Sequence, residues 1–365
     1  MTIWSGAAIQ REGSEVYMRS SWRRSTVLVL ALTVAMLLGA AGMASAEISS
    51  LAITAPTHTA PVYAKPGDTI HATVEVGASA GDYIWIRGSV GTGSTSSYFK
   101  YGPAVAGTNT YSVNALVSAG ESEGWTNVSV DAYIDGGPTW SQTNEESVCV
   151  DKTPPPVPSA FSGPVSPGND NTPTWTWANS VDALSGTAHY EVQIALSDDN
   201  ISWDPWEAAD PATVTTAGWT SAGLALPAFY KIQVRAVDKA GNASAYAESG
   251  VYQFDDAVPT NPGAATVSPA SPSQNKQPSW TWAASADDNP DRVWQSGVKE
   301  YDFSLTKNAE APAVHTLSAL TWAPGADMDD GKYTVTVLAR DNAGNVSGTV
   351  PGEQYILDTT APPNV

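Results

Sequence analysis

The sequence predicts an all-β protein made of tandem β-sandwich domains, and composition, alternation and repetition each point to this class. Charged residues make up only 15% of the 365 residues, whereas Gly (30) and Pro (26) are plentiful. Short strands joined by turns give such a mixture, and long helices do not. Residues 230–236 alternate apolar side chains with Lys231, Gln233 and Arg235, which indicates a sheet with one buried face. A second copy of this segment begins at Tyr333, so the β domain is repeated.

The N-terminal segment has the features of a secretory signal peptide. Basic residues within 19–24 precede an apolar run at 27–38, and small residues follow, ending in Ala-Ser-Ala at 44–46. This order predicts cleavage after Ala46, with residues 1–46 as the signal region and Met18 as an initiator that gives ordinary length. The alternative is an uncleaved membrane anchor, for which the apolar run is short, since a span needs about 20 residues.

Two motifs recur at nearly constant spacing. Trp175-Thr-Trp177 returns as Trp280-Thr-Trp282 at an offset of 105 residues, and the turn 238–242 returns as 341–345 at an offset of 103. Offsets near 100 predict one supersecondary unit per repeat. The drift predicts an insertion in the last repeat, which we place in the loop 287–291.

A proline-containing linker closes each repeat. Versions of it begin at Asp151, Asp256 and Asp358, and proline should keep these joints short and stiff. They predict sandwich domains at 47–152, 153–255 and 256–358, and residues 359–365 are expected to begin a further linker in a longer array. The first domain is more diverged. Its strand candidates are 69–76, 83–86 and 127–134.

Together, the paired Trp residues, the Tyr-x-Val-x-Val-x-Ala strand and the Asp-x-Ala-Gly-Asn-x-Ser turn resemble bacterial immunoglobulin-like and fibronectin type III-like repeats over most of 153–358. The resemblance implies tandem immunoglobulin-like sandwiches in a secreted or cell-surface protein. It also implies that Tyr230 and Tyr333 are tyrosine-corner residues, whose hydroxyl groups bond to nearby backbone. Some repeats of this type hold calcium at their joints.

Tryptophan residues fall into two groups. Trp175, Trp177 and their copies share one face of a strand, which favours a place in the core, with a sugar-stacking platform as the alternative. Trp203 and Trp206 lie in a segment that predicts a turn and an edge strand. They are the candidate glycan contacts, although core packing is the competing interpretation.

Acidic residues at the predicted turns and linkers are the candidate calcium ligands. The sequence suggests that Asp238 and Asn242 meet the linker residues Asp255 and Asp256 at one end of the second domain. The corresponding group in the third domain consists of Asp341, Asn345 and Asp358. Calcium takes six to eight oxygen ligands of these types. The alternative is that Asp238 and Asp341 only cap their own turns.

No catalytic motif is apparent. The four histidines, His58, His71, His189 and His315, are scattered, and none belongs to a known hydrolase or metalloprotease pattern. Cys149 lies in a strand-like run and is expected to be a small hydrophobic residue or a surface thiol rather than a nucleophile.

The sequence therefore predicts a non-enzymatic extracellular repeat protein, a monomeric semi-rigid rod that acts as a spacer or adhesin. The alternative is a carbohydrate-binding accessory region of a polysaccharide-active protein, and a weaker one is an enzyme whose catalytic domain lies beyond Val365. The expected partner is an extracellular protein or glycan. The net charge of −20 disfavours nucleic acid and anionic membranes, and no cofactor other than calcium is expected.

Overall fold

The computed structural model describes residues 47–55, 62–91, 99–135, 141–287 and 294–362, and these ranges contain strands and turns but no helix. Accordingly, no helix in the described ranges is long and apolar enough to cross a bilayer. The predicted signal region, His58 and most of the inserted loop lie outside the described residues.

Twenty-four strands follow one another along the described chain. The first eight are β1 Glu47–Ala55, β2 Tyr63–Ala64, β3 Thr69–Ala78, β4 Ile84–Val90, β5 Phe99–Tyr101, β6 Gly107–Leu116, β7 Gly124–Ile134 and β8 Ser141–Val150. The next eight are β9 Ser159–Ser162, β10 Thr174–Ala178, β11 Thr187–Ser197, β12 Glu207–Val214, β13 Gly218–Thr220, β14 Ala228–Asp238, β15 Ala247–Glu248 and β16 Tyr252–Phe254. The last eight are β17 Thr266–Ser268, β18 Ser279–Thr281, β19 Val298–Lys307, β20 Ala313–Leu317, β21 Thr321–Trp322, β22 Gly331–Asp341, β23 Val350–Pro351 and β24 Tyr355–Leu357.

The chain forms two compact units. The first contains most of residues up to 148, and the second contains Tyr63–Pro66, Ser122–Gly124 and everything from Cys149 onward. In the first unit, one sheet has the order β1-β3-β6 and the other contains β8-β7-β4-β5. Alternate residues of β3, β4 and β7 are buried between the sheets and form an aliphatic core that includes Val74, Ile86 and Val130. The diverged first domain is thus a sandwich, as the sequence predicts.

Two further sandwiches make up the second unit, and they share one topology. The sheets β9-β10-β13 and β12-β11-β14 form the second sandwich, with β15 and β16 paired to β14. The sheets β17-β18-β21 and β20-β19-β22 form the third, with β23 and β24 paired to β22. In the immunoglobulin-like arrangement, a sheet of three strands faces a sheet of four or more, and the chain crosses between the sheets. The predicted fold class is confirmed, whereas the exact domain boundaries stay predictions.

Tryptophan fills both of these cores. Trp175 and Trp280 are 0% exposed, and Trp177 and Trp282 are 5% and 6% exposed. Trp175 meets Tyr252 edge-on with ring centroids 6.1 Å apart, and Trp280 meets Tyr355 in the same way at 5.8 Å. The prediction that these paired residues serve the core is confirmed.

The long strands β14 and β22 set the two ends of their sandwiches. Each begins next to the strand that leaves the domain, since Ala228 pairs with Phe254 and Gly331 with Leu357. Each ends in the repeated turn, where Gly241 and Gly344 have φ of 84° and 97°, a conformation that favours glycine. A strand of this length separates its ends by about 30 Å.

Candidate metal sites at the domain joints

The joint between the second and third sandwiches is organised by Asp255. Its backbone N–H donates to Gly168 O at 3.0 Å, within the second sandwich. Its side chain reaches the third sandwich, because Oδ2 accepts the backbone N–H of Ser296 at 3.1 Å. Asn345 Nδ2 donates to the carbonyl of Asp255 at 2.8 Å. One residue therefore connects two domains through both its backbone and its carboxylate.

Asp341 lies at the end of β22 and holds the turn that follows. Its Oδ1 accepts the N–H groups of Gly344 and Asn345 at 2.6 and 2.8 Å, and its Oδ2 accepts Asn345 Nδ2 at 2.9 Å. The predicted capping role of Asp341 is thus confirmed, and this capping orients Asn345 toward the linker.

Asp287 completes a group of three carboxylates. Single oxygen atoms of Asp255, Asp287 and Asp341 all lie within 4.8 Å of one another, and all three residues are buried. Asp287 Oδ2 accepts Gly297 N at 2.6 Å and Ser296 Oγ at 3.1 Å. Its other oxygen, Oδ1, is buried and has no hydrogen-bond partner among the described residues. A buried carboxylate oxygen without a partner is costly, so this atom is available to a ligand.

The first joint contains an equivalent group. Oxygen atoms of Asp151, Asp182 and Asp238 lie within 4.8 Å of one another. Asp151 repeats the contacts of Asp255, because its Oδ2 accepts Ser185 N at 3.0 Å and its carbonyl accepts Asn242 Nδ2 at 3.0 Å. Asp238 caps its turn through Asn242 N at 2.8 Å. The joint is therefore a repeated structural unit.

Negative charge is concentrated in these two groups. Among the described residues, no lysine or arginine forms an ion pair with any of the six carboxylates. Burial raises the pKa of Asp238, and the negative charges of Asp151 and Asp182 add to this. Burial likewise raises the pKa of Asp287, with the charges of its two neighbouring aspartates as a further cause.

Asp182 is the exception in the first group. Its burial acts to raise its pKa, but the backbone N–H groups of Gly186, Leu184 and Ser185 donate to it. These hydrogen bonds prevail, and the pKa of Asp182 is lowered. A group of this kind holds negative charge that a proton or a cation can neutralise.

The sequence-based grouping of the ligand candidates is wrong in its pairing. Asp255 does not join Asp238 and Asn242 but lies with Asp341, because the two ends of β14 are far apart and Phe254 pairs with the far end. Asp256 and Asp358 are exposed and belong to neither group. Asp358 Oδ1 instead accepts Thr360 N at 2.9 Å.

Sequence reasoning missed the roles of Asp182 and Asp287. Both precede a Ser-Gly pair, at 185–186 and 296–297, so the repeat itself contained the signal. The insertion lengthens this spacing in the third domain, which hid the correspondence.

The candidate glycan residues form a cluster with a lysine on the outer face of the second sandwich. Trp203 and Trp206 are partly exposed. Lys231 Nζ lies 4.5 Å from the ring centroid of Trp203 and 5.0 Å from that of Trp206. Neither ring belongs to the core cluster of buried residues in this sandwich, so the core interpretation is wrong for this pair.

His71, His315 and Cys149 occupy ordinary structural positions. His71 Nδ1 is hydrogen-bonded to Asn114 Oδ1 at 2.6 Å, and His315 packs against Trp322 with ring centroids 4.8 Å apart. Cys149 is 0% exposed, and burial raises the pKa of its thiol, with the charges of Asp151 and Asp182 contributing. A raised pKa disfavours the thiolate form, in agreement with its predicted role as a small hydrophobic residue.

Comparison with known proteins gives one relative by sequence. The chain is 30% identical over 309 residues to "Exoglucanase B" of Cellulomonas fimi, which covers 80% of this chain and 25% of that protein. The chain therefore spans about a quarter of the length of this relative. No family model matches the sequence.

Two solved structures resemble the chain weakly. The FN1–FN3 domains of chicken CNTN1 cover 80% of this chain and 96% of their own, at 14% identity and a TM-score of 0.35. A multidomain fragment of titin covers 86% of this chain and 98% of its own, at 12% identity and a TM-score of 0.35. TM-scores this low do not establish a common fold, and the fold assignment stands on the sheet order and the cores.

Proposed function

We propose that this chain is a non-catalytic, extracellular repeat region that acts as a structural spacer or adhesin, and that a divalent cation holds its joints. The observation that carries the proposal is the duplicated joint, in which one linker aspartate meets two aspartates of the following domain. The signal-peptide pattern at 1–46 supports export to the cell surface or matrix. Repeats of this kind gain stability from contacts with their neighbours.

Calcium is the cation that we assign to the joints. Each group supplies three carboxylates, and calcium prefers hard oxygen ligands. The unpartnered Oδ1 of Asp287 supports binding in the second joint.

A thermal melt of residues 47–365 with calcium and with EDTA tests this proposal. Calcium should raise the temperature at which half of the protein is unfolded. A ligand present at one hundred times its Kd stabilises the folded state by about 2.7 kcal/mol per site. Asp287→Asn should reduce the calcium-dependent rise in the unfolding midpoint, because it removes a ligand of one of the two sites. Asp358→Asn is the matched control, since Asp358 is an exposed linker aspartate. No shift with the wild-type chain would remove the cation from the proposal.

A second candidate function is a carbohydrate-binding accessory region. The partly exposed Trp203 and Trp206 favour it, and so does the likeness to a protein named as an exoglucanase. If this candidate is correct, the wild-type chain is retained on a polysaccharide, and the double variant Trp203→Ala and Trp206→Ala is not. Retention equal to wild type would exclude these residues as the site.

A further inference from the structure

The outer face of β14 carries a continuous row of side chains. Phe229, Lys231, Gln233 and Arg235 alternate with the buried core residues and are all partly exposed. The row extends over about 20 Å, at roughly 3.4 Å per residue. Tyr246 closes one end, because its ring lies 4.8 Å from the guanidinium of Arg235.

A loop that is longer in the second sandwich than in the third adds two rings beside this row. Residues 198–206 connect β11 to β12 and contain Trp203 and Trp206, whereas residues 308–312 make the shorter connection in the third sandwich. Ala195 pairs with Lys231 on the neighbouring strand and is only 4% exposed. This small residue leaves room for Lys231 to reach across β11 to both rings.

The third sandwich supplies one more ring to the same face. The indole of Trp294 packs on Phe229 with centroids 4.7 Å apart. Trp294 lies two residues before Ser296, whose N–H and Oγ bond to Asp255 and Asp287. The position of this ring is therefore tied to the joint.

Charges along the row are balanced. Lys231 pairs with Glu248 at 2.9 Å and Arg235 with Glu191 at 2.6 Å, and Gln233 donates to Gln193. Such a face suits a ligand that is neutral and rich in hydroxyl groups. The acidic net charge of −20 also repels anionic polymers.

The equivalent face of the third sandwich has a different character. The outward residues of β22 are Lys332, Thr334, Thr336, Leu338 and Arg340, and none is aromatic. Trp203, Trp206 and Trp294 thus come from two segments outside β14, the loop 198–206 and the segment that contains Trp294, and they join Phe229 and Tyr246 on this face. Partly exposed aromatic groups concentrated on one face mark an interaction surface.

We propose that this face binds a neutral polysaccharide chain across the joint. One part of the polysaccharide would contact Trp203 and Trp206 of the second sandwich, and another part would contact Trp294 of the third. Pyranose rings present C–H groups to aromatic faces and hydroxyl groups to the amides and charged pairs of the row. This inference rests on the second candidate function and extends it, because it makes the binding surface a property of two domains together.

Affinity electrophoresis of residues 47–365 in gels containing hydroxyethylcellulose, a neutral glucan, tests the inference. The wild-type chain should be retarded, and Trp294→Ala should weaken retention about tenfold, as for a residue that anchors an interface. Trp294→Phe should restore much of it by keeping a ring. Trp125→Ala is the matched control, because Trp125 is a 57% exposed tryptophan of the first unit.

The outcomes separate the two proposals. Unchanged retention in Trp294→Ala, with loss in the Trp203→Ala and Trp206→Ala double variant, would overturn the two-domain surface and leave the second candidate intact. Absence of retention for the wild-type chain would count against both. Equal retention on polygalacturonate would overturn the neutral ligand and leave the second candidate intact. A thermal melt of each variant shows whether a loss reflects unfolding.

Discussion

Asp287 lies in an environment unlike that of an ordinary surface carboxylate. It is 5% exposed, and one of its oxygen atoms has no partner among the described residues. A raised folded-state pKa means that the folded protein takes up a proton more readily than the unfolded chain, whose aspartates titrate near about 3.9. In the absence of metal, the stability due to this group is therefore present at acid pH and lost as pH rises through the folded pKa.

Asp287→Asn should consequently change stability with opposite sign in two conditions. In EDTA at pH 7, the variant should be as stable as wild type or more stable, because it removes a buried charge, and the advantage should disappear near pH 4. In calcium at pH 7, the variant should be the less stable of the two. Urea unfolding at both pH values gives the free energies of unfolding. A variant less stable in EDTA at pH 7 would contradict the assigned repulsion.

At the scale of the strand, the tyrosine corners anchor the beginnings of β14 and β22. Tyr230 donates its hydroxyl to Leu226 O at 2.7 Å, and Tyr333 donates to Asp329 O at 2.6 Å. Each bond fixes the loop that enters a long central strand, and both confirm the role that the resemblance implies.

Removal of either hydroxyl should lower stability by about 1 kcal/mol, the usual net contribution of such a bond. Tyr230→Phe and Tyr333→Phe keep the rings in the core, so the loss isolates the hydrogen bond. Tyr246→Phe serves as the control, since its ring contacts Arg235 on the outer face. Chemical denaturation measures the difference, and equal stability of all three variants would show that the corners contribute nothing.

Strand alternation was enough to predict the sandwiches and the buried tryptophans, because these depend on local periodicity. The carboxylate groups were only partly predictable. Asp238 and Asp341 stand out beside their turns, but their partners depend on which end of the sandwich each linker reaches. The contact between Trp294 and Phe229 was beyond prediction, since it joins a loop of one sandwich to a strand of another.

At the scale of the whole molecule, each carboxylate group combines a linker aspartate with two aspartates of the sandwich that follows the linker. The linker residue Asp255 reaches a group otherwise formed by Asp287 and Asp341, and Asp151 does the same for Asp182 and Asp238. A domain excised at its linker therefore loses a ligand, whereas a pair of domains keeps the site between them.

Calcium stoichiometry should follow this division. Residues 47–365 should bind two ions, residues 153–358 one, and residues 153–255 none, because the last fragment lacks Asp151. Isothermal titration calorimetry on fragments first shown by melting to be folded gives these numbers. One ion bound by 153–255 would place the site within a single domain and contradict the assigned ligands.

The pairing of the entering and leaving segments has a mechanical consequence. Gly168 pairs with Phe254, and Ser273 with Leu357, in parallel orientation. Each bridge joins a single pair of residues, and tension along the chain would load its hydrogen bonds in shear. Because Asp255 follows Phe254 directly and also holds the next domain, an ion at this residue would stiffen the point where force passes from one domain to the next.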